Sequence, residues 1–415
     1  MFFLGVITSL LSLTYAARHN HRHRAVAQQP SSTIKASPAI PTNSGSSVPI
    51  TIGNNGLIGL IEIGSPGQMM DVQFDTTFNG VMVQSTLDES IIGAGLTYNR
   101  SDSASYNVSL PWNIMGGLMT EYTQKFDNDA YAIAYPGKET FNIGGTLYSG
   151  IPFGQLIQYY QKTSGQIMPF GGASGIIGLN YGSEQQPGIQ SFMFAIHDQL
   201  SGKPQFKALG DHAFTLSLEW KCALDSSRAW KNGTWTFGSL ESLGNRDSIA
   251  WADRNFYPPT WSINITAISA GTRKDPPITT WSATVATEEQ SLIWPQKLLD
   301  WYFADIDSTW SPADNTYRYP CNATLPDFTF GIGNGTFTIP STYMPYQRDQ
   351  AGTTCISIIT GDNSTDPGHE YTFGSWWAQL GVLILDYEHT QVGFMNKSTP
   401  LPTFGTSSLE KVAMN

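Results

Sequence analysis

Charge is scarce in this chain, and positive charge most of all. Only 22 Lys and Arg stand against 33 Asp and Glu among 415 residues, for a formal net charge of −11. A surface so poor in cations excludes nucleic acid as a partner, because phosphate binding needs a basic patch. Cysteine is nearly missing, at three residues, so the chain is no disulfide scaffold. Beyond the first sixteen residues no apolar run nears the roughly 20 residues that cross a bilayer, so no membrane span is expected. The end, Ser407–Asn415, lacks the greasy tail of a lipid-anchor signal. Also missing are H-E-x-x-H, a phosphate loop, a dinucleotide fingerprint and a G-x-S-x-G elbow. No metal and no cofactor is expected.

What the chain does have is turn formers and strand formers. Forty glycines, 24 prolines and 12% aromatics imply short strands with frequent reversals, an all-β fold. Leu57 to Ile63 is almost continuously apolar and reads as a strand covered on both faces. Gly64-Ser65-Pro66-Gly67 then reverses the chain, and Gln68 to Phe74 returns as a second strand. Helical pattern is confined to Ile189–Leu200 and to Gln296–Phe303, just after Trp294-Pro295. The first 17 residues read as a secretory leader, and residues 18–46, polar and Pro/Ser-rich, as a disordered pro-like segment. The alternation His19, His21, His23 has no scaffold and is read as a basic arm rather than a metal site. Eight N-x-S/T sequons, at Asn99, Asn107, Asn232, Asn264, Asn322, Asn334, Asn363 and Asn396, fit a glycoprotein that is secreted or held in a vesicular lumen. In an oxidising compartment two cysteines should pair. Cys321 and Cys355, flanking a strand-like stretch, are the expected bridge, and Cys222 is left over.

A faint internal duplication is the most informative feature. Ile61-Glu62-Ile63-Gly64-Ser65-Pro66-Gly67-Gln68, followed by Val72-Gln73-Phe74-Asp75-Thr76-Thr77, resembles the start of pepsin-like aspartic proteases. Ser174-Gly175-Ile176-Ile177-Gly178-Leu179 is similar to the family segment that threads beneath the first catalytic loop, and Val285-Ala286-Thr287-Glu288 falls where the second loop belongs. Leu325–Phe330, Thr372-Phe373-Gly374 and Asp386–Phe394 follow in family order. The resemblance implies a bilobal fold with an inter-lobe cleft, an N-terminal lobe over 47–238, a C-terminal lobe over 239–398, a tail over 399–415, and a monomer that takes a peptide or protein ligand in the cleft.

In that family two carboxylates face each other and share a proton, one drawing a proton from a water and the other polarising the scissile carbonyl. Here Asp75 is retained, but Ala286 stands at the second carboxylate position, and Thr77 and Glu288 crowd the loops where the family has glycine. The resemblance makes Thr76 and Thr287 the threonines that lock the two loops below the bound peptide. It makes Tyr135, in Ala134-Tyr135-Pro136-Gly137, the flap tyrosine that closes over the peptide. The leading expectation is therefore an impaired or inactive homologue that binds peptide in its cleft. One alternative is an active endopeptidase pairing Asp75 with Glu288 or Glu289; the other is a cleft enzyme acting on a secreted small molecule. Trp376-Trp377 reads as core rather than groove lining.

Overall fold

The computed structural model describes residues 46–397 apart from internal stretches, the longest being 88–95, 161–169, 182–190, 197–212 and 220–232. The leader, residues 18–45 with their histidines, the tail over 399–415, Asn232, Cys222, His197, His212 and His369 lie outside the described residues.

Strands Ser46–Gly53, Gly56–Ile63 and Gln68–Asp75 form an antiparallel meander, and the reversal at 64–67 sets Ile63 opposite Gln68. Coverage of Gly56–Ile63 is less complete than its composition implies. Leu60 is 49% exposed, so the strand is covered on one face only at that position. The meander belongs to a 14-stranded sheet that draws on both halves of the chain. Ser46–Gly53 pairs with Gly233–Phe237, which pairs with Ala213–Leu218, and that strand pairs in turn with Gly381–Asp386. Gln391–Asn396 and Ala250–Asp253 complete this edge. A seven-stranded sheet lies wholly in the second half and contains Ser262–Ala270, Trp281–Ala286, Leu292–Pro295 and Tyr371–Gly374.

Helix Gln296–Phe303 starts directly after Pro295, which cannot donate and so suits a helix start. It buries Leu298, Leu299, Tyr302 and Phe303. Among the described residues of 189–200, positions 192–193 and 195–196 are helical. Cys321 and Cys355 are disulfide-bonded and join strands Thr316–Pro320 and Thr354–Ser357, whose register sets Tyr319 opposite Cys355. Tryptophan fills the interior: Trp235, Trp261 and Trp294 are fully buried, and Trp377 packs on Phe330, Phe337, Phe373 and Phe394. Trp376 is buried too, so the Trp pair is core.

Candidate active site

The duplication seen in the sequence becomes two matching strand crossings. Strand Gln68–Asp75 pairs in parallel with Gly175–Gly178, placing Gly178 beside Asp75. Strand Trp281–Ala286 pairs in parallel with Tyr371–Gly374, placing Gly374 beside Ala286. A third strand lies antiparallel on each crossing, Val81–Gln84 in the first and Leu292–Pro295 in the second. Both crossing glycines are required by space. A Cβ on Gly178 would stand 2.3 Å from the Phe78 carbonyl oxygen, and one on Gly374 would stand 2.2 Å from that of Ser291. Each loop is thus drawn tightly over its partner strand, and the loop after one strand end meets the loop after the other.

A reciprocal threonine clamp joins them. Thr76 Oγ1 donates to the Val285 carbonyl at 2.6 Å, and Thr287 Oγ1 donates to the Phe74 carbonyl at 3.1 Å. The Thr287 N–H donates to Thr76 Oγ1 at 3.0 Å, and the Thr76 N–H to Thr287 Oγ1 at 3.2 Å. Both side chains are buried and their hydroxyls are engaged in these bonds. They position the loops and do not present themselves to a peptide.

The clamp fixes what stands above it. Asp75 Oδ1 accepts from the Thr77 N–H at 2.7 Å, the Phe78 N–H at 3.0 Å and Thr77 Oγ1 at 2.8 Å. Ala286, the counterpart of Asp75 in the second crossing, is buried and contributes only a methyl group. Of the alternative acids, Glu288 and Glu289, one stands near Asp75. Glu288, two residues past Ala286, reaches the same hydroxyl as Asp75: its Oε1 lies 2.8 Å from Thr77 Oγ1, which is itself 2.8 Å from Asp75 Oδ1. The physical reason is reach: the longer glutamate side chain compensates for its later place in the loop. Glu289 is not part of this pair. Its Oε1 accepts from the N–H groups of Gln290 and Ser291 and from Ser291 Oγ, at 3.0, 2.9 and 2.6 Å.

Burial pushes the Asp75 carboxyl above its ordinary value, while donors on Thr77, Glu288 and Phe78 pull it part of the way back. Burial, and then the charge of Asp75, pushes Glu288 well above the usual carboxylate range. Two buried carboxyls gathered on one hydroxyl oppose each other's charge, which favours one proton on the pair. Glu288 Oε2 is shielded from solvent and, among the described residues, no donor reaches it, which disfavours the charged form of Glu288.

Beside Glu288 lies a cavity of about 470 Å³, lined also by Glu289, Ser291, Thr316, Tyr346 and Ile358 among others. Tyr135 is elsewhere, and its assignment to a flap tip is corrected. It sits inside strand Tyr131–Ile143, opposite Gln155 of strand Thr146–Tyr160, with Ala134, Pro136 and Gly137 likewise paired. Strand Tyr122–Lys125 pairs antiparallel with Tyr131–Ile143, setting Lys125 opposite Tyr131, and residues 126–130 lie outside the described residues.

A family model described as eukaryotic aspartyl protease matches residues 57–397, which takes in both crossings and both loops. The chain belongs to the eukaryotic aspartyl protease family. Endothiapepsin of Cryphonectria parasitica is 25% identical over 378 residues, covering 88% of this chain and 78% of its own length. An acid protease of Saccharomycopsis fibuligera is 23% identical over 416 residues, covering 94% of this chain and 97% of its own length. Penicillopepsin-1 of Penicillium janthinellum is 21% identical over 332 residues, covering 79% and 91%. The two-lobed all-β fold is that of this aspartyl protease family, and the carboxyl pair is where this member is unusual.

Thr77 is the residue whose part the sequence did not disclose. It reads as a bulky replacement for glycine, yet its hydroxyl contacts both acids. A usable signal existed: a hydroxyl two residues after an Asp in a turn commonly bonds back to that carboxylate.

Proposed function

We propose that this aspartyl protease homologue is an acid endopeptidase that works with an unlike pair, Asp75 and Glu288. The observation that carries the reading is the Thr77 hydroxyl, which lies 2.8 Å from an oxygen of each carboxyl at the meeting point of the two loops. Asp75, held as an anion by the Thr77 and Phe78 N–H groups, is the base that takes a proton from an attacking water. Glu288, carrying the shared proton, is the acid that polarises the scissile carbonyl and then protonates the leaving nitrogen. The cavity beside Glu288 is large enough to seat a substrate side chain. The test is cleavage of denatured globin at acid pH, from about 2 to about 6, where one carboxyl of such a pair is ionised and the other is not. Cleavage by the wild-type protein that Asp75→Asn abolishes is expected. Absence of cleavage at every pH in that range contradicts the reading and returns the chain to a peptide-binding role.

We further propose that the protein is secreted and glycosylated. The apolar leader followed by small residues supports the first. Exposure of Asn107, Asn264, Asn322, Asn334, Asn363 and Asn396 supports the second, since transfer of a glycan needs an accessible amide. Asn99 instead spends its amide nitrogen on Asp102 at 2.9 Å. Among the described residues no helix is long and apolar enough to cross a membrane.

A further inference from the structure

The Thr77 hydroxyl has one proton and two acidic neighbours. Its Oγ1 stands 2.8 Å from Asp75 Oδ1 and 2.8 Å from Glu288 Oε1. A single proton cannot serve both contacts, so one carboxyl must supply a second. Two features decide which. Asp75 Oδ1 already receives two backbone N–H groups, an arrangement that favours the anion. Glu288 Oε2, shielded and without a donor among the described residues, disfavours it. Among the described residues the titratable group acting on each acid is the other one, and the neighbouring Glu289 is turned to Gln290 and Ser291.

We propose that Thr77 is a positioning residue whose hydroxyl donates to Asp75 and accepts the proton of Glu288, fixing Asp75 as the bare member of the pair and Glu288 as the acid. This rests on the carboxyl pair assigned above and says how its two roles are kept apart. Without the hydroxyl, the Asp75 anion loses a donor and the Glu288 acid loses an acceptor. The two titrations then draw together from both sides. The Thr77 backbone is unaffected, since its φ is not in the left-handed region and its N–H bond to Asp75 does not involve the side chain.

The experiment titrates, in substrate-free protein, the carboxylic-acid infrared band that Glu288→Gln abolishes, and follows the pH dependence of kcat and KM alongside it. Thr77→Val keeps the shape and removes the hydroxyl, Thr77→Ser keeps the hydroxyl, and Thr77→Ala replaces the valine variant if that fails to fold. In Thr77→Val the two apparent pKa values converge by about one pH unit. Its pH–rate profile narrows by a similar amount and kcat falls about tenfold or more at unchanged KM, with Thr77→Ser restoring the wild-type width. A Thr77→Val titration superimposable on wild type overturns the proposal, whether or not the protein cleaves peptides. A convergence in the infrared titration with no cleavage by any form upholds the bridge and removes the proteolytic reading instead.

Discussion

At the scale of single residues, the consequence of one buried proton is a stability that depends on pH. Glu288 titrates near 4.5 when unfolded and well above that in the folded protein, where burial and Asp75 oppose its charge. Between those two values the folded state binds more protons than the unfolded one. Stability is therefore complete below the unfolded value and is lost as pH rises through the folded one. Asp75, also raised, acts in the same direction. Glu288→Gln removes the loss, so thermal or urea unfolding at neutral pH should find this variant more stable than wild type. The gain should be about 1.4 kcal/mol for each pH unit that separates the folded titration of Glu288 from the unfolded one. Equal stabilities at neutral pH, or a variant weaker there, would count against a protonated Glu288. The sequence made Asp75 and Ala286 legible through the family resemblance, whose motifs align both residues with the starts of the two catalytic loops. It left Glu288 and Glu289 as equal alternatives. Which of them reaches Asp75 depends on the path of the loop after Thr287, set by the clamp and by Ser291, and no local pattern encodes that path.

At the scale of elements, the clamp and the crossings hold the two acids in place. Thr287→Val strips the hydroxyl that donates to the Phe74 carbonyl and accepts from the Thr76 N–H, leaving two buried groups without partners. A loss of about 1–3 kcal/mol is expected by denaturant unfolding, together with a fall in kcat, since the clamp also sets the distance between Asp75 and Glu288. Removing the disulfide, as Cys321→Ala with Cys355→Ala, frees a loop of 34 residues. The chain-entropy model puts that at about 3–4 kcal/mol, readable as a lower denaturation midpoint with the active-site loops intact. The helix after Pro295 and the reversal at 64–67 were legible because proline and glycine act locally. The position of Tyr135 was not. Ala134-Tyr135-Pro136-Gly137 has the composition of a turn, but cross-strand pairing with Phe153–Leu156 holds it extended. Tertiary pairing overrode local preference there.

At the scale of the whole molecule, the duplication explains why so degenerate a chain keeps its architecture. Two copies of a strand crossing, each closed by a glycine that nothing larger can replace, meet at reciprocal threonines. None of this depends on a carboxylate at position 286, which is why the fold was legible in the sequence while the chemistry was not. Enzymatic removal of N-linked glycans should lower the mass of the purified protein by several glycan units, checked by mass spectrometry, because six of the sequon asparagines lie exposed among the described residues. An unchanged mass would contradict the glycosylated reading. The central question is whether Glu288 has taken over from the missing partner of Asp75, and the most direct test compares kcat/KM for Glu288→Gln and Glu289→Gln on one peptide substrate at acid pH. A drop of roughly 10²–10⁴ in the first and little change in the second is predicted. Equal activity in Glu288→Gln and wild type, or a loss confined to Glu289→Gln, would contradict the pair.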